Sequence, residues 1–400
     1  MRFSGFDDEW IEEKLGNLVQ IKSGECTKNL ITGIDNSIPY FKVEQLNNSL
    51  KYQIKTPYFI NDKSKIVNKG SIIFPKRGAA ILLNKIRILN QDSFMDTNLM
   101  TLTPNNKLYN EFLYYFIYKE NLSKIADTTS IPQLNNKHIK PYPIKLPSFE
   151  EQLKISKFIS SVDKKVALLS QNLEIFNDFK KGLLQQIFTQ KLRFADCTGE
   201  WNLFKLGDIV ELMRNGCSEN QVSFETEFPV TRIETISKGI LNFDKVGYVE
   251  KIDSSYLLQY GDILLSNINS LKYIGNCVFF DEDKPLYHGM NLMLMRFKDD
   301  FNKKYLFYYM KFYQQWFQKM ACQAVNQASI NQSSLKKFPF YIPPTIDEQN
   351  KIVNVIDDTE HKINSIEDQI IKMEEFKKGL LQQMFVVQLI LSLLQNKKHI

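Results

Sequence analysis

The chain contains an internal duplication, and this feature limits what it can fold into more than any other. Residues 179–188 read FKKGLLQQIF and residues 376–385 read FKKGLLQQMF, so nine of ten positions recur at an offset of 197. Near the start of each copy, Glu9-Trp10 and Glu200-Trp201 recur at an offset of 191. A chain of 400 residues that repeats after about 190 residues holds two copies of one structural plan.

Composition excludes some classes of protein but does not indicate a particular function. A hydrophobic share of 43% is enough for packed cores, and a net charge of +6 suits a polyanionic partner but is too small to prove one. Five cysteines without a CxxC pair argue against zinc and disulfides, and they fit a reducing cytoplasm. The acidic start and the short, interrupted apolar tail at 385–394 predict neither export nor a membrane span.

The back of each copy carries a long heptad pattern, in which apolar residues recur with the 4-3 spacing of a helix that packs on another helix. The positions are Ile155, Ile159, Val162, Val166, Leu169, Leu173 and Phe176 in the first copy, and Ile352, Ile356, Ile363, Ile366, Ile370 and Met373 in the second. Lys180 and Lys377 interrupt the pattern at the same place. The pattern predicts helices over 150–188 and 347–385, each roughly 55 to 60 Å long.

Two arrangements would bury such seams. Each could face a globular core, but a period sustained at about 3.5 residues favours helix on helix. Because both helices belong to one duplicated chain and are separated by a whole domain, an antiparallel pair about a pseudo-two-fold axis is the simplest closure. This predicts a coiled coil that separates two front domains.

The fronts have a mixed α and β pattern. Short apolar runs, Ser71–Phe74 and Asp262–Leu265, follow glycine and predict strands, and aromatic-rich stretches at 110–126 and 303–320 predict helices that pack into a core. The fold class is therefore α+β. The predicted boundaries are 1–146 for the first front domain, 147–192 for the first long helix, 193–342 for the second front domain, and 343–400 for the second long helix and tail.

The two copies agree closely in the helices and poorly in the fronts. The simplest physical account is that like regions face identical partners while unlike regions face different targets. The duplication therefore predicts two equal partner subunits and two unequal half-sites.

Several paired motifs give the chain a recognisable character: DEW…KLG and GEW…KLG, the strands KGSIIF and YGDILL, the links LPSFEEQ and IPPTIDEQ, and the twin FKKGLLQQ endings. Over essentially its whole length the chain resembles the specificity subunits of type I restriction-modification systems. The resemblance implies that each front is a target recognition domain that reads one part of a split, asymmetric DNA site. It also implies helices that set the gap and bind two methyltransferase (M) subunits, with restriction (R) subunits joining the complex.

Geometry is compatible with that role. Half-sites read from the major groove on one face of a duplex have centres about 34 Å apart. A change of one helical turn would move the domains by roughly 5.4 Å, so gap length should follow helix length.

Candidate DNA contacts are cationic or amide side chains in turns, since Arg and Lys read guanine, Asn and Gln read adenine, and cations bind phosphates. They are Lys22, Lys42, Lys76, Arg77, Lys85 and Arg87 in the first front, and Arg214, Asn215, Arg232, Asn267, Asn269 and Lys272 in the second. Many such residues are ordinary solvated turns. The match of KRG at 76–78 with NIN at 267–269 suggests that side chains suited to guanine in the first front are replaced by side chains suited to adenine in the second.

No catalytic or metal-binding motif stands out, because the chain lacks a phosphate-binding loop, an NPP[FY] run and clustered histidines. We therefore expect a non-enzyme without its own cofactor; the resemblance places S-adenosylmethionine, ATP and magnesium on partner subunits. Two alternatives stay open: a coiled-coil adaptor that joins two identical partners without touching DNA, and a self-contained modification enzyme.

Overall fold

The computed structural model describes residues 2–27, 30–32, 37–61, 66–127, 131–237, 239–323 and 328–386. These residues fold as two compact units. Unit 1 is drawn from Met1–Ser170 and Asp368–Ile400, and unit 2 is Gln171–Glu367. Each long helix therefore contributes one part to each unit. The tail at 387–400 lies outside the described residues.

Unit 1 has a five-stranded sheet in the order β2-β9-β6-β7-β4, a three-stranded sheet in the order β5-β3-β8, and the antiparallel pair β1-β10. Its described elements are β1 (Ile11–Lys14), α1 (Leu15–Leu18), β2 (Val19–Ser23), β3 (Ile38–Phe41), β4 (Tyr52–Gln53), β5 (Phe59–Ile60), β6 (Ile72–Pro75), β7 (Arg87–Leu89), β8 (Phe94–Met95), β9 (Leu99–Pro104), α2 (Asn110–Glu120), α3 (Asn136–Ile139), β10 (Pro143–Leu146) and the first long helix, α4 (Phe149–Phe188).

Unit 2 repeats this plan with a four-stranded sheet in the order β12-β19-β16-β18, two three-stranded sheets, β13-β15-β14 and β17-β21-β20, and the antiparallel pair β11-β22. Its described elements are β11 (Asn202–Lys205), α5 (Leu206–Ile209), β12 (Val210–Asn215), β13 (Gln221–Val222), β14 (Pro229–Val230), β15 (Gly247–Val249), β16 (Ile263–Leu265), β17 (Ile268–Asn269), β18 (Cys277–Phe279), β19 (Met293–Phe297), α6 (Lys303–Phe312), α7 (Gln314–Met320), β20 (Cys322–Gln323), β21 (Ala328–Ser329), α8 (Gln332–Leu335), β22 (Pro339–Ile342) and the second long helix, α9 (Ile346–Val386).

Equivalent strands begin after equivalent glycines. Gly70 has φ +85° and Gly261 has φ +88°, a conformation that a side chain would strain, and β6 and β16 each begin two residues later. Every residue of both strands is buried. A strand covered on both faces is expected to be continuously apolar, which explains why these runs do not alternate.

The aromatic stretches lie in the two cores, as predicted. Phe112 and Tyr115 of α2 and Tyr305 and Tyr309 of α6 are at most 2% exposed. Both predicted helices are shorter than expected, however. The first ends where Asn121 adopts φ +59°, and the second is divided at Tyr313 into α6 and α7.

The long helices pack antiparallel within each unit. In unit 1, the late residues Leu380 and Met384 of α9 share a core with the early residue Ile155 of α4. In unit 2, the late residue Ile187 of α4 shares a core with the early residue Ile352 of α9. The α+β class with two long antiparallel helices is thus confirmed, and all thirteen predicted seam residues are buried or half-buried.

A buried ion pair fastens the start of each long helix to the residues that lead into the front domain. In unit 2, the Glu348 carboxylate is 1% exposed and accepts hydrogen bonds from Nε (2.7 Å) and Nη2 (2.8 Å) of Arg193. The indole Nε1 of Trp201 donates a third, at 3.1 Å. Arg193 also donates to the carbonyl oxygens of Thr198 and Gly199. We call this arrangement the clamp.

Unit 1 contains the same clamp. Nε and Nη2 of Arg2 each lie 2.9 Å from the Glu151 carboxylate, which is also 1% exposed, and Trp10 donates to it at 3.2 Å. The two clamps show that the internal repeat is present in the structure as well as in the sequence. None of the described helices contains an apolar stretch that could span a lipid bilayer.

Candidate nucleic-acid interface

In unit 1, two of the predicted contacts are brought to one edge of the main sheet. β9 pairs with β2 on one side and β6 on the other, so that Ser23 lies opposite Met100 and Pro75 lies opposite Leu99. The end of β2 and the end of β6 therefore meet at this edge. Lys22 lies in the last part of β2, where its Nζ donates to the carbonyl oxygen of Ile66 at 2.9 Å, and Lys76 directly follows Pro75. We call this end of the sheet edge 1.

The charge at edge 1 is partly desolvated. Burial lowers the pKa of Lys76, the neighbouring charge of Arg77 lowers it further, and Asp96 opposes the shift. Arg77 itself is exposed. An approaching anion would restore favourable interactions to Lys76, so this geometry favours a phosphate or a base acceptor.

Lys42 reaches the same neighbourhood from a different sheet. The carbonyl oxygen of Phe41 accepts a hydrogen bond from the Asp96 backbone at 2.9 Å, next to edge 1. The Lys42 ammonium lies 3.8 Å from the centre of the Tyr58 ring, which supports it by a cation–π interaction.

The other two candidates of the first front point to different surroundings. Lys85 donates to the side chain of Asn47. Arg87 donates to the carbonyl oxygen of Ile86 at 2.7 Å, and burial lowers its pKa while Tyr114 and Tyr118 of α2 oppose the shift. Their contacts do not place these two side chains at edge 1.

Unit 2 has an equivalent edge with different chemistry, which we call edge 2. Asn215 at the end of β12 and Leu265 at the end of β16 both lie opposite Met293. Arg214 is held in place by hydrogen bonds to Ser255, and its guanidinium lies 4.1 Å from the centre of the Tyr256 ring. The adjacent Asn215 side chain is exposed.

The predicted correspondence between 76–78 and 267–269 appears in the backbone. The Lys76 carbonyl accepts from Leu134 N at 2.8 Å, and the Asn267 carbonyl accepts from Ile330 N at 2.9 Å. The side chains differ in access, because Lys76 is half-buried while Asn267 is 4% exposed and donates to Ile330 O at 3.4 Å.

The amide oxygen of Asn267 is buried without a hydrogen-bond partner. Asn269 is half-buried, with its amide nitrogen 3.1 Å from Ser266 Oγ and its oxygen accepting from Ser270 N. Base reading by Asn267 would require its side chain to turn outward, so the asparagine pair stays a prediction.

Arg232 occupies the place of Lys42. Each residue precedes a 3-10 turn whose third residue accepts from its backbone nitrogen: Gln45 for Lys42 at 2.9 Å and Thr235 for Arg232 at 2.8 Å. The Arg232 side chain donates to Gln221 at 2.6 Å. Lys272 is exposed beside edge 2, 4.6 Å from the centre of its neighbour's ring, Tyr273.

The sequence reasoning missed the aromatic rings that hold the cations. Tyr58 and Tyr256 lie 16 and 42 residues from the side chains they support, so no local pattern reveals them. Among the described residues, no cluster of His, Cys, Asp or Glu could hold a metal ion. The edges offer fixed cations, amides and aromatic rings, a set suited to binding a polyanion.

Comparison with known proteins gives one consistent result. The family model described as "Type I restriction modification DNA specificity domain" matches residues 7–175 and 198–375. The putative type I restriction enzyme MjaX specificity subunit of Methanocaldococcus jannaschii is 38% identical over 205 residues, which is 49% of this chain and 48% of that relative. The MjaVIII specificity subunit of the same organism is 23% identical, over 75% of this chain and 74% of its own length.

The fold also has a solved counterpart. The S subunit of a type I restriction-modification system from M. genitalium superposes with a TM-score of 0.58 and 16% identity, covering 96% of this chain and 97% of that one. At this identity the likeness concerns the fold.

Proposed function

Because the chain belongs to the family of type I restriction-modification DNA specificity proteins, we propose that it reads DNA for a type I complex and that its two units read the two parts of one split, asymmetric site. The observation that carries this proposal is the contrast between the edges. Equivalent strand ends carry unlike side chains: Lys22-Ser23 at the end of β2 against Arg214-Asn215 at the end of β12, and Lys76-Arg77 after β6 against Asn267-Ile268 after β16. Like frameworks with unlike readers give two different half-sites.

The long helices are the proposed docking surface for two M subunits. Between 149–188 and 346–385, six of the first thirty positions are identical, against nine of the last ten. Some retained residues, such as Ile155 and Ile352, serve internal packing. Phe179 and Phe376 do not, since they are 55% and 49% exposed.

The identical exposed surface extends beyond the two phenylalanines. Lys181 and Gln185 in α4, and Lys378 and Gln382 in α9, are also exposed. Identical exposed residues in two otherwise diverged copies are explained by identical partners. An aromatic anchor with flanking polar groups is a typical centre of a protein interface.

The same helices are proposed to set the gap between half-sites. α4 has 40 residues and α9 has 41, which corresponds to about 60 Å at 1.5 Å per residue. This length accommodates half-site centres about 34 Å apart. Insertion or removal of one turn in both helices should change the preferred gap.

In this proposal the chain supplies recognition and no chemistry. Methyl transfer and cleavage, with the S-adenosylmethionine, ATP and magnesium they need, belong to the M and R subunits. If the purified chain bound S-adenosylmethionine by itself, the alternative of a self-contained modification enzyme would regain support.

The test is methylation by the assembled complex of this chain with its methyltransferase partners. Sequencing of modified adenines should reveal one split, non-palindromic motif, whereas a palindrome or the absence of any motif would contradict the proposal. Arg77→Ala should relax only one half of the motif and Arg214→Ala only the other. Lys107→Ala, an exposed lysine in the turn before α2, is the matched control and should change neither half.

The adaptor alternative makes a different prediction for the same complex. A DNA reader loses duplex affinity steeply as salt rises, because bound cations release counterions from the phosphates. An adaptor would join its two partners while leaving their duplex binding unchanged.

A further inference from the structure

The lysines that interrupt the heptad seam have carboxylate partners on the opposite helix. In unit 1, Lys377 Nζ lies 2.6 Å from Oδ1 of Asp163. In unit 2, Lys180 forms the corresponding ion pair with Glu360. Within each long helix the lysine follows the carboxylate by 17 residues, so the two pairs are related by the internal duplication.

Each carboxylate also binds a tyrosine from the aromatic helix of its own front domain. Tyr115 Oη of α2 donates to Asp163 Oδ2 at 2.5 Å. Tyr308 Oη of α6 lies 3.1 Å from Glu360 Oε2 and makes a shorter hydrogen bond, at 2.5 Å, to Oδ1 of Asp357 one turn earlier in α9. Each group of lysine, carboxylate and tyrosine therefore joins three elements: both long helices and one front domain. We call these groups the triads.

The triads are too enclosed to be ordinary surface ion pairs. The side chains of Lys377 and Asp163 are 18% and 22% exposed, and those of Lys180 and Glu360 are 23% and 26% exposed. Burial raises the pKa of Glu360, but the hydrogen bond and charge of Lys180, with Lys311, outweigh it and leave the pKa lowered. The carboxylate is thus held in its charged form.

We propose that the two triads fix the axial register of the long helices and attach each front domain to that register, which makes their members positioning residues for the gap between half-sites. An isolated polar pair in an apolar seam specifies register, because apolar positions tolerate a slip of about one turn, which exchanges a and d positions, while a half-buried charge does not tolerate losing its partner. This inference rests on the proposed function of the chain as a split-site reader.

The scale of the effect follows from helix geometry. A slip by one turn moves a residue by about 5.4 Å along the helix. Successive base pairs are about 3.4 Å apart. A slip of one turn therefore corresponds to between one and two base pairs, so loss of register would appear as a change in the preferred gap.

The experiment measures methylation by the full complex on a set of duplexes that differ only in gap length. Lys180→Glu and Glu360→Lys should each lower the ratio of modification at the preferred gap to that at gaps one base pair longer or shorter, by about tenfold. The double variant Lys180→Glu/Glu360→Lys restores an opposite-charge pair and should restore the ratio. Lys164→Glu, an exposed residue of α4 with the same charge change, is the control and should keep it.

Tyr115→Phe and Tyr308→Phe provide a second arm that keeps the ring packing and removes only the hydroxyl. Each should broaden the gap preference without changing the bases that are read. An equal loss of activity at every gap, or no rescue by the charge exchange, would show that the triads only stabilise the fold and would overturn the inference. A wild-type complex without any gap preference would instead overturn the proposed function, and this inference with it.

Discussion

The clamp of unit 2 is predicted to contribute about 2 to 4 kcal/mol to the stability of that unit, and Glu348→Gln measures it. The substitution keeps the shape of the side chain but removes the charge that three N–H donors share at 2.7, 2.8 and 3.1 Å. It also turns an amide donor toward Arg193 or Trp201. A hydrogen bond to a charged group contributes about 1.5 to 3 kcal/mol, and breaking a fully buried pair costs about 3 to 5 kcal/mol. Because the Arg193 side chain is 27% exposed, solvent screens part of this loss.

The measurement is urea unfolding of the full chain followed by tryptophan fluorescence. Trp201 is part of the clamp, so the transition of unit 2 is reported by a residue next to the substitution. The chain has two units, and their transitions must be fitted separately before a free energy is assigned to either. Asp347→Asn is the matched control, since the neighbouring Asp347 carboxylate is 70% exposed and pairs with Lys351 at 2.8 Å. An exposed pair of this kind contributes at most about 1 kcal/mol.

A double-mutant cycle with Arg193→Met separates the ion pair from other effects of the substitutions. If the pair acts as described, the sum of the two single losses of unfolding free energy should exceed the loss in the double variant by about 1 kcal/mol or more. Glu151→Gln should reproduce the behaviour in unit 1, where Arg2 and Trp10 hold the equivalent carboxylate. The reasoning would be refuted if Glu348→Gln cost no more than Asp347→Asn, or if the cycle showed no coupling.

Three further predictions concern docking, pH and packing. Phe179→Ala and Phe376→Ala should each weaken binding of one M subunit by about tenfold or more while leaving the urea transition unchanged, because both rings are about half exposed; unaltered M binding in titrations would remove them from the interface. Burial lowers the pKa of His288 to about 4. The stability that depends on its neutral ring is therefore fully present above the unfolded pKa of about 6.5 and is lost as pH falls toward 4, by up to about 3 kcal/mol. His288→Gln should flatten that part of the curve of stability against pH, and an unchanged slope would contradict the prediction. Phe158 packs edge-on against Phe3 in unit 1, whereas its counterpart Val355 borders an apolar pocket of about 130 Å³ in unit 2; Val355→Phe should therefore stabilise unit 2 by about 1 kcal/mol in urea unfolding, and a loss of stability would show that the ring does not fit.

The long helices could be predicted because their signal is local. A heptad pattern states which residues are buried without reference to the rest of the chain, and the helices begin and end within one residue of the predicted 150–188 and 347–385. The clamps show the limit of such signals. Sequence comparison shows that Arg193 and Trp201 recur at one offset and Glu348 at another. It cannot show that all three are in contact, because about 150 residues separate Glu348 from Arg193 and Trp201.

The surroundings of edges 1 and 2 were harder to predict for a related reason. The strand that ends at Pro75 is visible in the sequence, but the exposure of the next side chains depends on segments from elsewhere in the unit. Asn267 is covered because a backbone carbonyl of Ile330 faces it, and Arg87 lies beside Tyr114 of α2. Residue type therefore identified a set of candidates, and only the packing could show which of them are exposed.

The duplication, taken together with exposure, helps to distinguish internal contacts from the proposed external ones. In the triads the lysines are identical, while Asp163 corresponds to Glu360. This difference is tolerated because a flexible lysine can pair with either carboxylate, and because both partners lie in one chain and can change together. In the seam, Val162 corresponds to Thr359. Phe179 and Phe376 are retained without change although neither is needed to fill a core. Under the proposed docking, a residue that is exposed and yet identical in both copies is explained by a partner outside the chain that is the same on each copy.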